Sequence, residues 1–450
     1  MIDLFDFQKE DVEKLKNEPA CLIANDMGTG KTYEAIARDE IFRELWHSPI
    51  AKRTLVIAPL TVLPSWQKHF MSLTNLPVIS VDPKSRSKSF EDFLSLGDAV
   101  FLIHWEALRV FPELSEVYWF HIIADECHRA KNRKAQQTRA LKKLKSVFRS
   151  ALSGTPVVNR PDELWSILNW LKPSEYKGYW KFYNRYVDFE IIYPQGFHKI
   201  TGPKNELELQ KTLSPFMVRR LKKDVLKDLP DKYYTTVWVN LGSKQRKAYK
   251  AMARDMVAWV GAHEDAPLVA PVVIAQLIRL QQFAIAHMEE VAGGFGMSEP
   301  SAKLDAIMQI LEDNPEEQIV IFSQFKQAIG LLGKRLEDKG ISYGTITGDV
   351  SDKTRAQVIE DFQEGSIRVF AGTIAAGGIG ITLTSASTAI FIDRSWSPAI
   401  NLQAEDRLHR IGQKNAVQII DIMANETIDL GRQQRLEQKW SWIKLLLGDS

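Results

Sequence analysis

Short apolar runs, each bounded by polar or turn-forming residues, recur along the first third of the chain: Cys21 to Ala24, Leu55 to Ala58, Val100 to Ile103, Ile122 to Ala124 and Ser150 to Leu152. Runs of this length are too short for helices and read as buried strands of a parallel sheet. Between them the spacing turns helical, in Leu4, Phe7, Val12 and Leu15, in Tyr33 to Leu45, and in the segment after Trp66 that carries Lys68 and His69. The alternation predicts an α/β fold. It resumes later, with strands expected at Ile319 to Phe322, Tyr343 to Thr347, Val369 to Ala371 and Ala389 to Ile392. Leu241 to Glu290 reads as helical, ending at the break Gly293-Gly294-Phe295-Gly296. Pro215 to Val225, followed by Leu229-Pro230-Asp231-Lys232, reads as a linker, with Arg219 and Arg220 either candidates for phosphate contacts or part of a solvated charge run.

Composition narrows the class. At 450 residues the chain exceeds one hydrophobic core and suits two or three domains. With 45% hydrophobic and 25% charged residues, wholesale disorder is excluded. The 58 basic and 56 acidic residues leave a net charge of +2, so any polyanion site is a local groove rather than a global field. Cys21 and Cys127 lie in apparent core segments, which argues against a disulfide framework or zinc cluster and for a reducing compartment. Met1 to Gln8 carries two aspartates and no apolar leader, and no apolar run approaches the roughly 20 residues of a membrane span. The expectation is a soluble, unexported protein with no membrane partner.

The chemistry concentrates at a few strand ends. Asn25-Asp26-Met27-Gly28-Thr29-Gly30-Lys31-Thr32 lies between a strand and a helix. Backbone N–H groups of such a loop, backed by the helix dipole, can cradle a polyphosphate, with Lys31 on the phosphates and the Thr32 hydroxyl on Mg²⁺. Asn25 stands where the pattern usually has its first glycine, and the loop alone does not exclude one that never meets a nucleotide. Gln8, just upstream, can pair with an adenine edge or simply face solvent. Asp125-Glu126-Cys127-His128 ends an apolar strand, where a carboxylate pair needs a cation or water to serve. There Asp125 is placed to hold Mg²⁺ and Glu126 to polarise an attacking water. Ser153-Gly154-Thr155-Pro156 is a polar turn that could couple a phosphate to a neighbouring surface. The aromatic and basic stretch Leu164 to Phe189 reads mainly as the core of a small helical outcrop, with a nucleic-acid surface as the alternative. The turn Ala375 to Thr384, with Gly378 in it, permits close backbone approach to a ligand or to another element; no phosphate-loop lysine follows it. Arg407 and Arg410 are expected one helical turn apart on one face, either as paired guanidiniums for a transferring phosphoryl group or as partners of Glu405 and Asp406.

Taken in order, Asp26 to Thr32, Asp125 to His128, Leu152 to Pro156, Pro215 to Val225, Ser301-Ala302-Lys303-Leu304-Asp305 and Gln403 to Gln413 resemble the motifs of superfamily-two helicase-like ATPases, and more narrowly Swi/Snf-type DNA translocases. The resemblance runs from Phe5 to the Thr427 region. It departs from the pattern at Asn25, Asp26, Cys127, Thr382 and Ser397. It implies two RecA-like parallel-sheet lobes, residues 1–228 and 229–450, with helical protrusions at about 160–211 and 241–296 and a closing helix in the second lobe. ATP and Mg²⁺ are implied between the lobes, with Gln8, Asp26, Met27, Gly28, Thr29, Gly30, Lys31, Thr32 and Gly378 binding nucleotide, Thr32 and Asp125 holding the metal, and Glu126, Lys31, Arg407 and Arg410 catalytic. It further implies ATP-driven movement along double-stranded DNA by a monomer, with a DNA-bound protein or a recruiting subunit as a further partner. A cytoplasmic setting in a bacterial or viral host cell is expected over a nuclear one. A strand-separating helicase, an RNA track and a non-hydrolysing scaffold are the competing readings.

Overall fold

The computed structural model describes residues 2–47, 51–81, 97–192, 196–262, 269–291, 294–377 and 381–449. It separates into two compact units, Met1–Lys227 with Lys439–Ser450, and Asp228–Gln438.

The first unit is built on a seven-stranded parallel sheet. Its strands are β1 (Ala20–Ile23), β2 (Arg53–Ala58), β3 (Val78–Ser80), β4 (Ala99–His104), β5 (Tyr118–Asp125), β6 (Lys145–Leu152) and β9 (Met217–Val218), in the order β3-β4-β2-β5-β6-β1-β9. Leu55, Val56, Ile57 and Ala58 are all fully buried, as expected for a strand covered on both faces. One apolar layer gathers Trp105, Trp119, Leu164 and Leu168, the other Ile36, Trp66 and Phe70.

The segment read as a linker is part of this sheet. Met217 and Val218 pair in parallel with Leu22 and Ile23, and Asp26 N–H donates to the Arg220 carbonyl at 2.9 Å, continuing the ladder. A strand of two residues beside a cationic cluster carries no periodicity to read. The outcrop at 160–211 is mixed rather than helical: helices Glu163–Leu171, Tyr179–Tyr186 and Glu206–Leu213 accompany an antiparallel hairpin of β7 (Val187–Ile192) and β8 (Phe197–Pro203). Trp165, Trp170, Tyr176, Phe182, Tyr183 and Tyr186 are buried, whereas Trp180 is 58% exposed.

The second unit carries a six-stranded parallel sheet in the order β10-β17-β16-β13-β15-β14. These are β10 (Lys232–Val239), β13 (Ile319–Ser323), β14 (Tyr343–Ile346), β15 (Val369–Thr373), β16 (Thr388–Phe391) and β17 (Val417–Ala424). Together the two sheets give the RecA-like α/β architecture. The 241–296 protrusion consists of helices Ser243–Ala262 and Val269–Ile285, then a hairpin of β11 (His287–Val291) and β12 (Gly294–Ser298), so its end is β and not helical. The last helix, Ile428–Leu447, does not lie wholly in the second lobe as its place in the sequence implies: from Lys439 onward the chain counts with the first unit. Ile443, Leu446 and Leu447 join that unit's core.

Candidate nucleotide site

The loop from Asn25 to Lys31 leaves β1 at the carboxyl edge of its sheet, and the helix Lys31–Leu45 starts from it. Gly28 and Gly30 have φ of 77° and 84°, values that side-chain-bearing residues rarely adopt. A Cβ on Gly30 would also stand 2.5 Å from Gln8 Nε2. No side chain caps this helix, so its first amide groups point into the loop, the arrangement that favours an anion. Lys31 Nζ donates to the carbonyls of Asn25 and Asp26, both at 2.9 Å. Gln8 is buried, donating to the Thr29 carbonyl at 2.8 Å and accepting from Phe5 N–H at 3.0 Å, which ties the helix Asp6–Leu15 to the loop. Thr29 Oγ1 donates to the Asp26 carbonyl at 2.8 Å, and Thr32 sits partly exposed in the first helical turn.

Asn25 is fully buried and replaces the usual loop glycine with a polar hub: its Nδ2 donates to Asp11 Oδ2 at 2.8 Å and Glu34 Oε1 at 3.0 Å. Burial and the neighbouring Asp11 charge push the Glu34 carboxyl up to about 8. Arg220, a candidate for phosphate contacts from the sequence, is instead drawn onto Asp11 and Glu10. Arg219, the other candidate, is buried among carbonyl and carboxylate oxygens beside the loop and is not available to an external phosphate. Their acidic partners lie about two hundred residues or more away in sequence, beyond the reach of local pattern.

The acidic pair ends β5, with only β6 separating that strand from β1. Asp125 Oδ2 accepts from Trp66 Nε1 at 2.8 Å and Oδ1 from Glu126 N–H at 2.9 Å. Burial, with the Glu126 charge beside it, pushes Asp125 up to about 6 against the pull of Trp66 and Lys31. Trp105 Nε1 donates to the Asp125 carbonyl at 2.8 Å. Glu126 holds φ 50°, ψ 49°, a left-handed conformation that costs a non-glycine residue about 1 kcal/mol or more. His128 Nδ1 lies 3.1 Å from Glu126 Oε2 and 3.2 Å from Ser153 Oγ, linking the acidic pair to the turn after β6. That turn reaches the loop in its own right, because Gly154 packs against Met27. Loop, acids and turn thus converge at one edge of three neighbouring strands.

Among side chains that pattern reading missed, Asp39 accepts from Arg43 at 2.7 Å and contacts His121 Nδ1 at 2.9 Å, while His121 Nε2 contacts Ser150 Oγ at 2.9 Å. All three of Asp39, His121 and Ser150 are fully buried, and Arg38 also donates to Ser150, so this serine–histidine–aspartate line cannot meet a substrate. It pins the loop's helix to β5 and β6. Elsewhere in the unit, Lys131, Arg133, Lys134, Arg160, Trp165 and Tyr179 border a cavity of about 440 Å³, with the Arg133 guanidinium 4.1 Å above the Tyr179 ring.

In the second unit, Arg407 and Arg410 do not share a helix face. The helix Pro398–Glu405 stops short of both, and they occupy the turns that follow. The Arg407 carbonyl accepts from Leu383 N–H at 2.9 Å, and Gly412 at φ 102° diverts the chain. Arg410 Nη1 donates to Thr382 Oγ1 at 2.9 Å, and burial lowers its pKa. Glu405 instead joins Arg394 at 2.5 Å and Lys232 at 2.9 Å, and Arg394 also grips Asp421. Gly378 lies outside the described residues. Among the described residues, no cluster of three or more histidine, cysteine or acidic side chains is arranged as a metal site, and no helix is long and apolar enough to cross a membrane.

Two parallel-sheet units, one with a strand–glycine loop–helix element facing an acidic strand end, define a phosphate-loop α/β protein of RecA-like construction. Sequence comparison narrows this further. Residues 11–287 match the SNF2-related domain and residues 302–412 the helicase conserved C-terminal domain. The chain belongs to the SNF2-related family. It is 30% identical over 95% of its length to an uncharacterized ATP-dependent helicase of Mycoplasma pneumoniae, and 31% identical over 93% to the putative ATP-dependent helicase/translocase YwqA of Bacillus subtilis. It is also 30% identical over 96% to chromodomain-helicase-DNA-binding protein 6 of Mus musculus. The matches span 40%, 45% and 17% of those relatives, so the chain covers less than half of each. A solved structure of the Sulfolobus solfataricus SWI2/SNF2 ATPase core in complex with dsDNA is similar at 28% identity, over 99% of this chain and 94% of that one, with a TM-score of 0.45.

Proposed function

We propose that the chain hydrolyses ATP, is stimulated by double-stranded DNA, and uses the energy to move along the duplex without separating its strands, remodelling DNA-protein complexes or branched DNA. The observation that carries the ATPase reading is the convergence of the Gly28–Lys31 loop, Asp125-Glu126 and Ser153-Gly154 at one edge of β1, β6 and β5. Left-handed glycines, uncapped helix amides and a lysine already folded onto the loop carbonyls fit a polyphosphate, and the nearby carboxylate of Asp125 with the Thr32 hydroxyl fits a hard cation. Mg²⁺, when bound, neutralises charge on the phosphates. Lys31 and the loop amides bind and orient the phosphates. Glu126 accepts the proton of the attacking water, its position fixed by the left-handed backbone and by His128.

Support for duplex DNA comes from the family. The test is ATP turnover measured side by side with no nucleic acid, duplex DNA, single-stranded DNA and duplex RNA, with Lys31→Ala as the blank. Strong stimulation by duplex DNA, lost in Lys31→Ala, is expected, and Glu126→Gln is expected to bind ATP without turning it over. Stimulation by single strands alone would favour a strand-separating helicase, and no turnover under any condition would favour a non-hydrolysing scaffold.

A further inference from the structure

Arg219 spends its N–H donors on the neighbourhood of the phosphate loop. Nη1 donates to the Ala24 carbonyl at 2.6 Å and the Gly154 carbonyl at 3.1 Å, and Nη2 pairs with Asp26 Oδ1 at 2.9 Å. The other contacts form a two-pronged pair with Asp449: Nε to Oδ1 at 2.9 Å and Nη2 to Oδ2 at 2.8 Å. Five contacts match the five donors of a guanidinium. Both partners are more than nine-tenths buried, Arg219 at 9% and Asp449 at 5% side-chain exposure. Ala24 leads into the loop, Asp26 lies within it and Gly154 is the turn that packs on it. One side chain therefore sets the spacing between loop and turn.

Asp449 arrives there through the end of the last helix. Ile443 and Leu446 are buried in the first unit, and Gln210 Nε2 donates to the Leu445 carbonyl at 2.6 Å. Gly448, at φ 76°, reverses the chain after the helix, and Asp449 N–H closes the end on the Lys444 carbonyl at 3.0 Å. A carboxylate facing the guanidinium fork fixes the plane of that group as well as its place. Without it, Asp26 is the remaining carboxylate on Arg219, and the fork is free to turn toward it and away from the two carbonyls.

We propose that Asp449 is a positioning residue for the nucleotide site, holding Arg219 in the orientation that ties the phosphate loop to the Ser153–Thr155 turn. In its consequence for turnover this rests on the ATPase reading above; in its consequence for the loop it does not. The test compares the full chain with Asp449→Asn, Arg219→Gln and the double variant, by amide hydrogen exchange and DNA-stimulated ATP turnover. In Asp449→Asn, exchange in the segment Met27 to Thr32 is expected to accelerate by about tenfold or more, the factor for losing one charge-assisted hydrogen bond, while β4 stays protected. The kcat is expected to fall on the order of tenfold, inside the roughly hundredfold that a 1 Å misplacement costs, and Asp449→Asn should add nothing to Arg219→Gln. Asp449→Glu, which keeps the charge on a displaced carboxylate, should give intermediate values and serves in place of the Asn variant if that does not fold. Exchange that rises only near residues 443–449, with the loop unchanged, would overturn the proposal, as would additive effects in the double variant. If the unaltered chain hydrolyses no ATP, the activity reading fails and the exchange result alone decides this one.

Discussion

Replacing Gly154 with alanine tests whether the turn after β6 shapes the phosphate loop. The added Cβ would lie 2.7 Å from Met27 Cγ, 3.1 Å from the Met27 backbone nitrogen and 3.5 Å from the Asn25 carbonyl oxygen. Ordinary carbon contacts are about 3.5–4.0 Å, so the Met27 side chain has to move by about 1 Å and its backbone by several tenths of an ångström. The side chain has rotamers to spare, but the nitrogen is the loop itself. Gly154 does not have a left-handed φ, so the cost is spatial and not conformational. Overpacking of this kind costs about 1–3 kcal/mol, which lowers the melting midpoint of a unit of this size by about 2–10 °C. A loop shift of that size should weaken catalysis by about tenfold, bounded by the roughly hundredfold expected for 1 Å. Calorimetry reports the first effect; fluorescent-nucleotide affinity with single-turnover hydrolysis reports the second. A variant that melts like the parent and turns over within about twofold of it would show that the contact does not set the loop.

The second unit offers two stability tests. Burial alone would raise the Glu405 carboxyl, but Lys232 and Arg394 override it and hold Glu405 down at about 2. A carboxyl depressed on folding stabilises fully above its unfolded value near 4.5 and loses that contribution as pH falls toward 2, so Glu405→Gln should cost about 3 kcal/mol at pH 7 and flatten the acid-side loss. Urea unfolding from pH 2 to 7, followed by exchange in β10 and β17, measures it; an unchanged acid limb would refute the assignment. Lys303 is fully buried, 2.7 Å from Asp429 and donating to the Ile392 carbonyl at 2.8 Å, while Arg432 holds the other Asp429 oxygen at 2.8 Å. Lys303→Met should destabilise the unit by about 3–5 kcal/mol, and a urea midpoint shift equivalent to less than about 1 kcal/mol would show that Arg432 alone satisfies Asp429.

Much of the site's inventory was legible in sequence because it obeys local rules. Positive φ at Gly28 and Gly30 demands glycine, a helix start demands free amides, and an Asp-Glu pair at the end of an apolar strand demands a polar service, so the loop and the acids stand out within a few residues. The parallel α/β class followed from buried runs alternating with helical spacing. What tertiary structure decided involves partners distant in sequence or elements too short to have a period. Met217-Val218 became a strand because β1 offered an open edge, and Lys232–Val239 because β17 did. Arg407 and Arg410 left the helix because the loop at Leu383 took the Arg407 carbonyl that another turn of helix would have used. Arg219 turned inward because Asp26 and Asp449, one nearly two hundred residues before it and the other 230 residues after, gather around it. Side-chain type announces what a residue can bond; only the fold, by deciding which distant carboxylate or carbonyl comes within 3 Å, determines what it does bond.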